Sequence, residues 1–142
     1  MSGWWFAAGC VGLFLTLWAF ASRRWKRQAL ILKARRPNPT HEQFIALLVE
    51  DCDHDIAEFV WRIFTEDYSG WGVELTPHPD DDYLRDLPID PENQGDWLDE
   101  FRESFALSHG NFPRWPDGAQ TTVRKFARWL SDGRRSSIIA AA

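Results

Sequence analysis

The stretch Asp86–Trp97 reads DLPIDPENQGDW, and the architecture turns on whether it opens a helix. Asp90 is a good N-cap, and Pro91 suits the first position of a helix, where its missing N–H is lost to no hydrogen bond. Glu92 adds negative charge at the positive end of the helix dipole. Trp97, Leu98, Phe101 and Phe105 follow with helical spacing, so the stretch predicts a helix entered from an acidic turn. Gly95 is the flaw, costing about 1 kcal/mol of helix propensity, unless it admits a close neighbour.

Working back along the chain, two helices or one bent helix are expected over 41–67. Thr40 and Gln43 have the spacing of a capping box. Phe44, Leu47 and Leu48 share one face, with Ile45, Val49 and Cys52 near it. Asp53 and Asp55 mark a break or tightened turn, and Ile56, Phe59, Val60, Ile63 and Phe64 form a second stripe. Ser69-Gly70-Trp71-Gly72 ends the run. A long loop rich in Pro and Asp then carries Val73, Leu75 and Tyr83 as apolar anchors. Asp80 or Asp81 is the expected cap of a short turn containing Tyr83 and Leu84. Asp80, Asp81 and Asp82 lack the alternating ligands, central glycine and terminal glutamate of a calcium loop, and no Cys/His spacing has the shape of a zinc site. No metal and no cofactor are expected.

Working forward, Asn111 to Gly118 reads as a loop held by Phe112 and Trp115. Thr121 or Thr122 opens the last helix, with Val123, Phe126, Ala127 and Leu130 facing inward and Trp129 beside them. Ser131-Asp132-Gly133 is its expected end, and residues 132–142 are expected as a flexible tail. The fold class is therefore all-α, a small helical bundle.

The N-terminal part is of another kind. Gly3 to Ser22 is uncharged, and 20 helical residues span about 30 Å, the thickness of a bilayer core. Trp4 and Trp5 at one end, with Trp18 and Trp25 near the other, fit the aromatic belts of membrane interfaces. A cleaved signal peptide wants a basic stretch ahead of the apolar run, which Met1-Ser2 does not supply. Gly3/Ala7 and Ala8/Gly12 have spacings that permit close packing of such helices. Arg23, Arg24, Lys26 and Arg27 come immediately after, and then Lys33, Arg35 and Arg36. This basic flank is expected to stay cytoplasmic, with the N-terminus outside, and to meet anionic lipid headgroups. Residues 23–40 read as a basic, helical, membrane-proximal stalk with Ala29 to Leu32 on a lipid-facing side, stopped by Pro37-Asn38-Pro39.

Charge separates the two parts. Residues 1–40 hold seven basic and no acidic residues, whereas residues 41–142 hold nine basic and 21 acidic ones, a net of −12. An acidic domain argues against a nucleic-acid partner and for a basic protein face. Cys10 and Cys52 form no disulfide framework, and His41, His54, His78 and His109 are scattered.

From about residue 54 to 131, the order helix, long loop, acid-capped helix, short loop, final helix resembles an acyl carrier protein. Leu87-Pro88-Ile89-Asp90 stands where carriers have Leu-Gly-x-Asp, and Thr122-Val123 is similar to the Thr-Val that opens the last carrier helix. More closely, the stretch resembles the DUF1493 family of uncharacterised bacterial proteins, which are carrier-like without the serine. Pro91 occupies the position of the serine that bears 4'-phosphopantetheine and has no hydroxyl. Asp90, Glu92 and Asn93 do not replace it, Ser104 is read as buried in the helix, and Ser108 lies beyond. The resemblance implies a degenerate carrier in a bacterial inner membrane, with Asp86, Asp90, Glu92, Asp96, Asp99, Glu100 and Glu103 forming an acidic partner interface. Trp97 is either an aromatic anchor there or core. An enzyme is not expected: the chain lacks a Gly-rich phosphate motif, and adjacency of Ser108 and His109 is not triad geometry. The expected function is that of a membrane-anchored, non-catalytic interaction module. The alternatives are a structural or regulatory subunit acting through its anchor, or a toxin-immunity protein.

Overall fold

The computed structural model describes residues 3–70, 72–110 and 112–142. Met1, Ser2, Trp71 and Asn111 lie outside the described residues, and with them parts of the expected helix end at 69–72 and of the expected loop at 111–118. Among the described residues five helices follow one another: α1 (Gly3–Arg35), α2 (His41–Leu48), α3 (His54–Ser69), α4 (Asn93–Ser104) and α5 (Val123–Ala141). Among the described residues there is no sheet, only an isolated antiparallel bridge between Asp82 and Thr122. The expected all-α bundle behind an apolar helix is what the chain forms.

α1 is long and apolar enough to cross a membrane, and none of its apolar window is buried in the domain. Its hydroxyls are satisfied within the helix: Thr16 Oγ1 donates to the Gly12 carbonyl and Ser22 Oγ to the Trp18 carbonyl, both at 2.8 Å, as an apolar surrounding requires. The helix runs on through the basic segment and stops at Arg35, ahead of Pro37. That segment is not a free stalk. Ala29 and Leu32 are buried in the domain core, and only Leu30 and Ile31 of the expected lipid-facing side are half exposed.

α2 and α3 are separate helices. The Thr40 capping box is formed in both directions: Thr40 Oγ1 accepts from the Gln43 N–H, and Gln43 Oε1 accepts from the Thr40 N–H at 3.0 Å. α3 is the central element, packed between α2 and α5. Its Phe64 lies within 4.7 Å of the Trp97 ring centroid, 5.2 Å of Tyr83 and 5.9 Å of Phe126. This aromatic cluster gathers α3, α4, α5 and the 70–92 loop around one point, in the tilted and edge-on geometries that aromatic rings favour. Phe112, Trp115 and Trp129 extend it, with Trp129 5.3 Å from Trp115 and edge-on to Phe112 at 4.9 Å.

Five local expectations are corrected. The acid that caps the turn at 82–86 is Asp82, whose Oδ1 accepts from the Arg85 N–H at 3.2 Å; Asp81 is instead buried. α4 begins at Asn93 rather than Pro91, although Asp90 does hold its approach by accepting from the Glu92 N–H at 3.0 Å. A Cβ on Gly95 would meet nothing within 4 Å, so no neighbour comes close there, and Ser104 is exposed rather than buried. Finally, Gly133 does not end the last helix. Thr122 caps α5 by accepting from Lys125 N–H, and the helix continues through the expected tail to Ala141 because its later turns are held. The Phe112 ring occupies the place where a Gly133 side chain would be. Arg134 reaches Asp55 at 2.7 Å and covers the Phe105 ring, and Ser137 is buried.

Candidate protein interface

α4 positions the acidic residues singled out in the sequence. Trp97 and Phe101 turn inward, which fixes the opposite side to solvent. Glu92, Asp96, Asp99 and Glu103 are all exposed. Their spacing of four, three and four residues sets them in one row along the helix. Asp90 is exposed at the head of that row. Among the described residues, Glu92, Asp96 and Glu103 are in no ion pair, while Asp99 pairs within the helix with Arg102 at 3.0 Å.

The other predicted interface residues lie differently. Glu100 is half-buried and bridged by Arg62 of α3 at 2.6 Å, so its charge is already answered within the chain. Asp86 is half-buried and lines a separate hollow with Arg35, Arg36 and His78. Trp97 is 5% exposed and belongs to the aromatic core, so it is no anchor for a partner. Its indole is the more favourable filler of the space between Phe64, Tyr83 and Phe126 than of a wet surface. Pro91 is exposed on the approach to α4.

The structure also adds residues that sequence spacing did not find. Glu66 and Asp67 of α3 come beside Asp96 and Glu100 of α4 along a hollow floored by Ile63 and Trp97. Asn93 Nδ2 donates to Asp67 Oδ2 at 3.4 Å. Burial pushes the Asp67 carboxyl above its ordinary range; the Asn93 hydrogen bond opposes this and the Glu66 charge adds to it. The face is thus acidic over Ile63 and Trp97, with Arg62 set between Glu66 at 3.7 Å and Glu100 at 2.6 Å as its counter-charge. Nothing local marked Glu66 and Asp67, because their neighbours on α4 lie across the long loop, Asn93 being 26 residues from Asp67.

Two other acids serve architecture. Asp81 binds Arg36 in a fork, at 2.8 and 2.6 Å, and also accepts from the Tyr68 hydroxyl at 2.9 Å and the His78 N–H at 3.0 Å. It ties the end of α1 to α3 and the long loop. Asp51 accepts from both Arg124 and Arg128 of α5. Burial pushes its carboxyl up, yet the two arginines outweigh this and hold it below the ordinary range. Cys52 beside it is pushed up to about 12 by burial and by Asp51, Asp53 and Asp55, which leaves the thiol without nucleophilic character.

On α1, Arg23, Arg24, Lys26 and Arg27 are exposed just beyond the apolar run. Among the described residues no group of three or more His, Cys, Asp or Glu is disposed to hold a metal ion. Comparison of the chain with protein-family models, with curated proteins and with solved structures finds no match.

Proposed function

We propose that this chain is a membrane-anchored, non-catalytic interaction module that holds a basic face of another protein on the acidic row of α4. The observation that carries this reading is the row Glu92, Asp96, Asp99 and Glu103, exposed along one side of a buried-faced helix. Apart from the Arg102 that pairs with Asp99, the fold supplies this row no counter-charge among the described residues. Like charges four residues apart each cost an isolated helix about 0.2–0.5 kcal/mol. Glu92 and Asp96 are favoured at the N-terminal end of the helix dipole, but Glu103 stands at the wrong end. A basic partner relieves this repulsion and is steered toward it.

The carrier-like reading belongs to this proposal. The order α3, long loop, α4, loop, α5 supports it, and Pro91 removes the attachment chemistry. Intact mass after co-expression with a phosphopantetheinyl transferase should therefore show no pantetheine adduct. We place the domain on the cytoplasmic side of a bacterial inner membrane with the N-terminus outside. The basic flank of α1 supports that orientation; the assignment to bacteria rests on the family resemblance.

The test is affinity capture of the full-length, detergent-solubilised protein from its native cell, read by mass spectrometry. The Asp96→Lys/Asp99→Lys/Glu103→Lys variant serves as comparison. A basic partner lost in the variant and held by the parent is the expected result. A partner held equally by both moves the interface off α4.

The second reading, a structural subunit acting through its anchor, is favoured by one observation: α1 passes unbroken from its apolar run into the domain core at Ala29 and Leu32. Replacing residues 1–22 with an unrelated single-pass helix separates the two. Retained function favours the domain surface and lost function the native anchor. The exchange must stop before Ala29, because Ala29 and Leu32 are core.

A further inference from the structure

Where α1 leaves its apolar run, it does not stand alone. Phe20, Arg24 and Gln28, one turn apart on a single side of the helix, form one wall of a groove. The other wall comes from the domain: Arg85 with Leu84, Leu87 and Pro88. Residues 20–28 rise about 12 Å along the helix, so the 84–88 loop lies level with the end of the apolar run. Phe20 and Trp25 face Leu84, Leu87 and Pro88 across the groove, and each wall carries one arginine. Arg23 and Arg27 line an adjoining hollow that shares Phe20 and Arg24.

Among the described residues, Arg23, Arg24, Arg27 and Arg85 are in no ion pair. Arg36, Arg62, Arg102, Arg124 and Arg134 are all paired with carboxylates. The one acid next in sequence to Arg85, Asp86, lines the separate hollow with Arg35 and Arg36. The groove therefore presents two uncompensated guanidinium groups, which suit the oxygens of a phosphodiester, beside apolar side chains that suit an acyl chain.

We propose that the groove between α1 and the 84–88 loop is a binding site for one anionic phospholipid of the surrounding leaflet. Its phosphate lies between Arg24 and Arg85, and its acyl chain runs beside Phe20. The proposal rests on the anchoring of α1 in a membrane. It differs from general attraction of a basic flank to a charged surface, because that attraction counts Lys26 as much as Arg24 and has no use for Arg85 or its loop. A bound lipid here joins membrane composition to the position of the loop that leads into α4.

The full-length protein in detergent is examined by native mass spectrometry with added phosphatidylglycerol, phosphatidylcholine or inorganic phosphate. One phosphatidylglycerol should be retained in preference to phosphatidylcholine. Arg24→Gln and Arg85→Gln should each lower that preference about fivefold, the usual weight of one basic residue at an anionic surface, and Lys26→Gln should leave it unchanged. Equal losses for Lys26→Gln and Arg85→Gln would overturn the proposal, as would inorganic phosphate displacing the lipid at equal concentration. Circular dichroism checks that each variant keeps its helices. Alkaline carbonate washing of membranes is scored separately. Release of the protein overturns the anchoring and the proposal together, whereas retention with no lipid preference overturns the proposal alone.

Discussion

Asp81→Ala tests how the anchor helix is joined to the domain. The Asp81 side chain is 3% exposed and its partner Arg36 11%. Truncation removes the acceptor of four hydrogen bonds, two from Arg36 and one each from Tyr68 and His78. Breaking a buried ion pair by deleting one member costs about 3–5 kcal/mol, because the other charge is left uncompensated. Arg36 retains the carbonyls of Thr76 and Pro37, at 2.9 and 2.8 Å, which sets the expectation at the lower end, about 3 kcal/mol. For a chain of this size that corresponds to a fall in Tm of roughly 10 °C. Thermal unfolding of the full-length protein in detergent, followed by near-UV circular dichroism, reads it. Arg36→Ala should cost a similar amount. The double variant should cost clearly less than the two together, with a coupling of about 1–3 kcal/mol. A loss within about 0.5 kcal/mol, the range of ordinary surface substitutions, or strict additivity of the two changes, would refute the weld. Hydrogen exchange should report the same event as faster exchange around residues 29–36.

Two glycines give opposite expectations. Gly95→Ala should stabilise the protein by about 1 kcal/mol, since its Cβ enters open space. Gly133→Ala drives a methyl group into the Phe112 ring, and overpacking of about 1–3 kcal/mol should outweigh the helix-propensity gain, lowering Tm. Cys52 should resist a thiol reagent at pH 8 in the folded protein and react after denaturation, because it is buried and burial pushes its thiol up to about 12. Asp67 binds its proton at higher pH folded than at its ordinary value of 3.8, so its ionisation opposes folding. Asp67→Asn should therefore raise Tm at neutral pH, and the advantage should shrink as pH falls through the folded pKa and vanish below 3.8. An undiminished advantage in acid would contradict the assigned cause.

What could be read along the chain was local. The Thr40–Gln43 box, the Thr122 cap and the stop before Pro37 each involve groups within four residues of one another. The stripes of α3 and α5 depend only on which side chains share a helical face. The errors have the opposite character. Gly133 carries the local chemistry of a helix end, and it was a distant Phe112 and Asp55 that kept the helix going. Of three consecutive aspartates, Asp80 pairs with Arg124 at the surface, Asp82 accepts from Arg85 N–H and the Thr121 hydroxyl, and Asp81 is buried under Arg36, distinctions made by residues 39 or more positions away as well as by the turn. In the candidate interface, the exposed row from Glu92 to Glu103 was legible because helical spacing sets it. Trp97 was undecided because a tryptophan beside an apolar stripe serves a core or a surface equally well until its neighbours are known.

Residue order alone specifies an uncharged helix long enough to span a bilayer, a basic flank, and an acidic all-α domain with its apolar stripes in place. Uncharged length, charge and periodicity act through solvent and through neighbours a turn away, so they can be read without the fold. Three features needed the folded chain: the basic flank is part of the domain core, Glu66 and Asp67 join Asp96 along one hollow, and Arg85 stands across from Arg24. Each of these is a meeting of residues far apart in the chain, and such a meeting is settled by the packing of helices against a shared core.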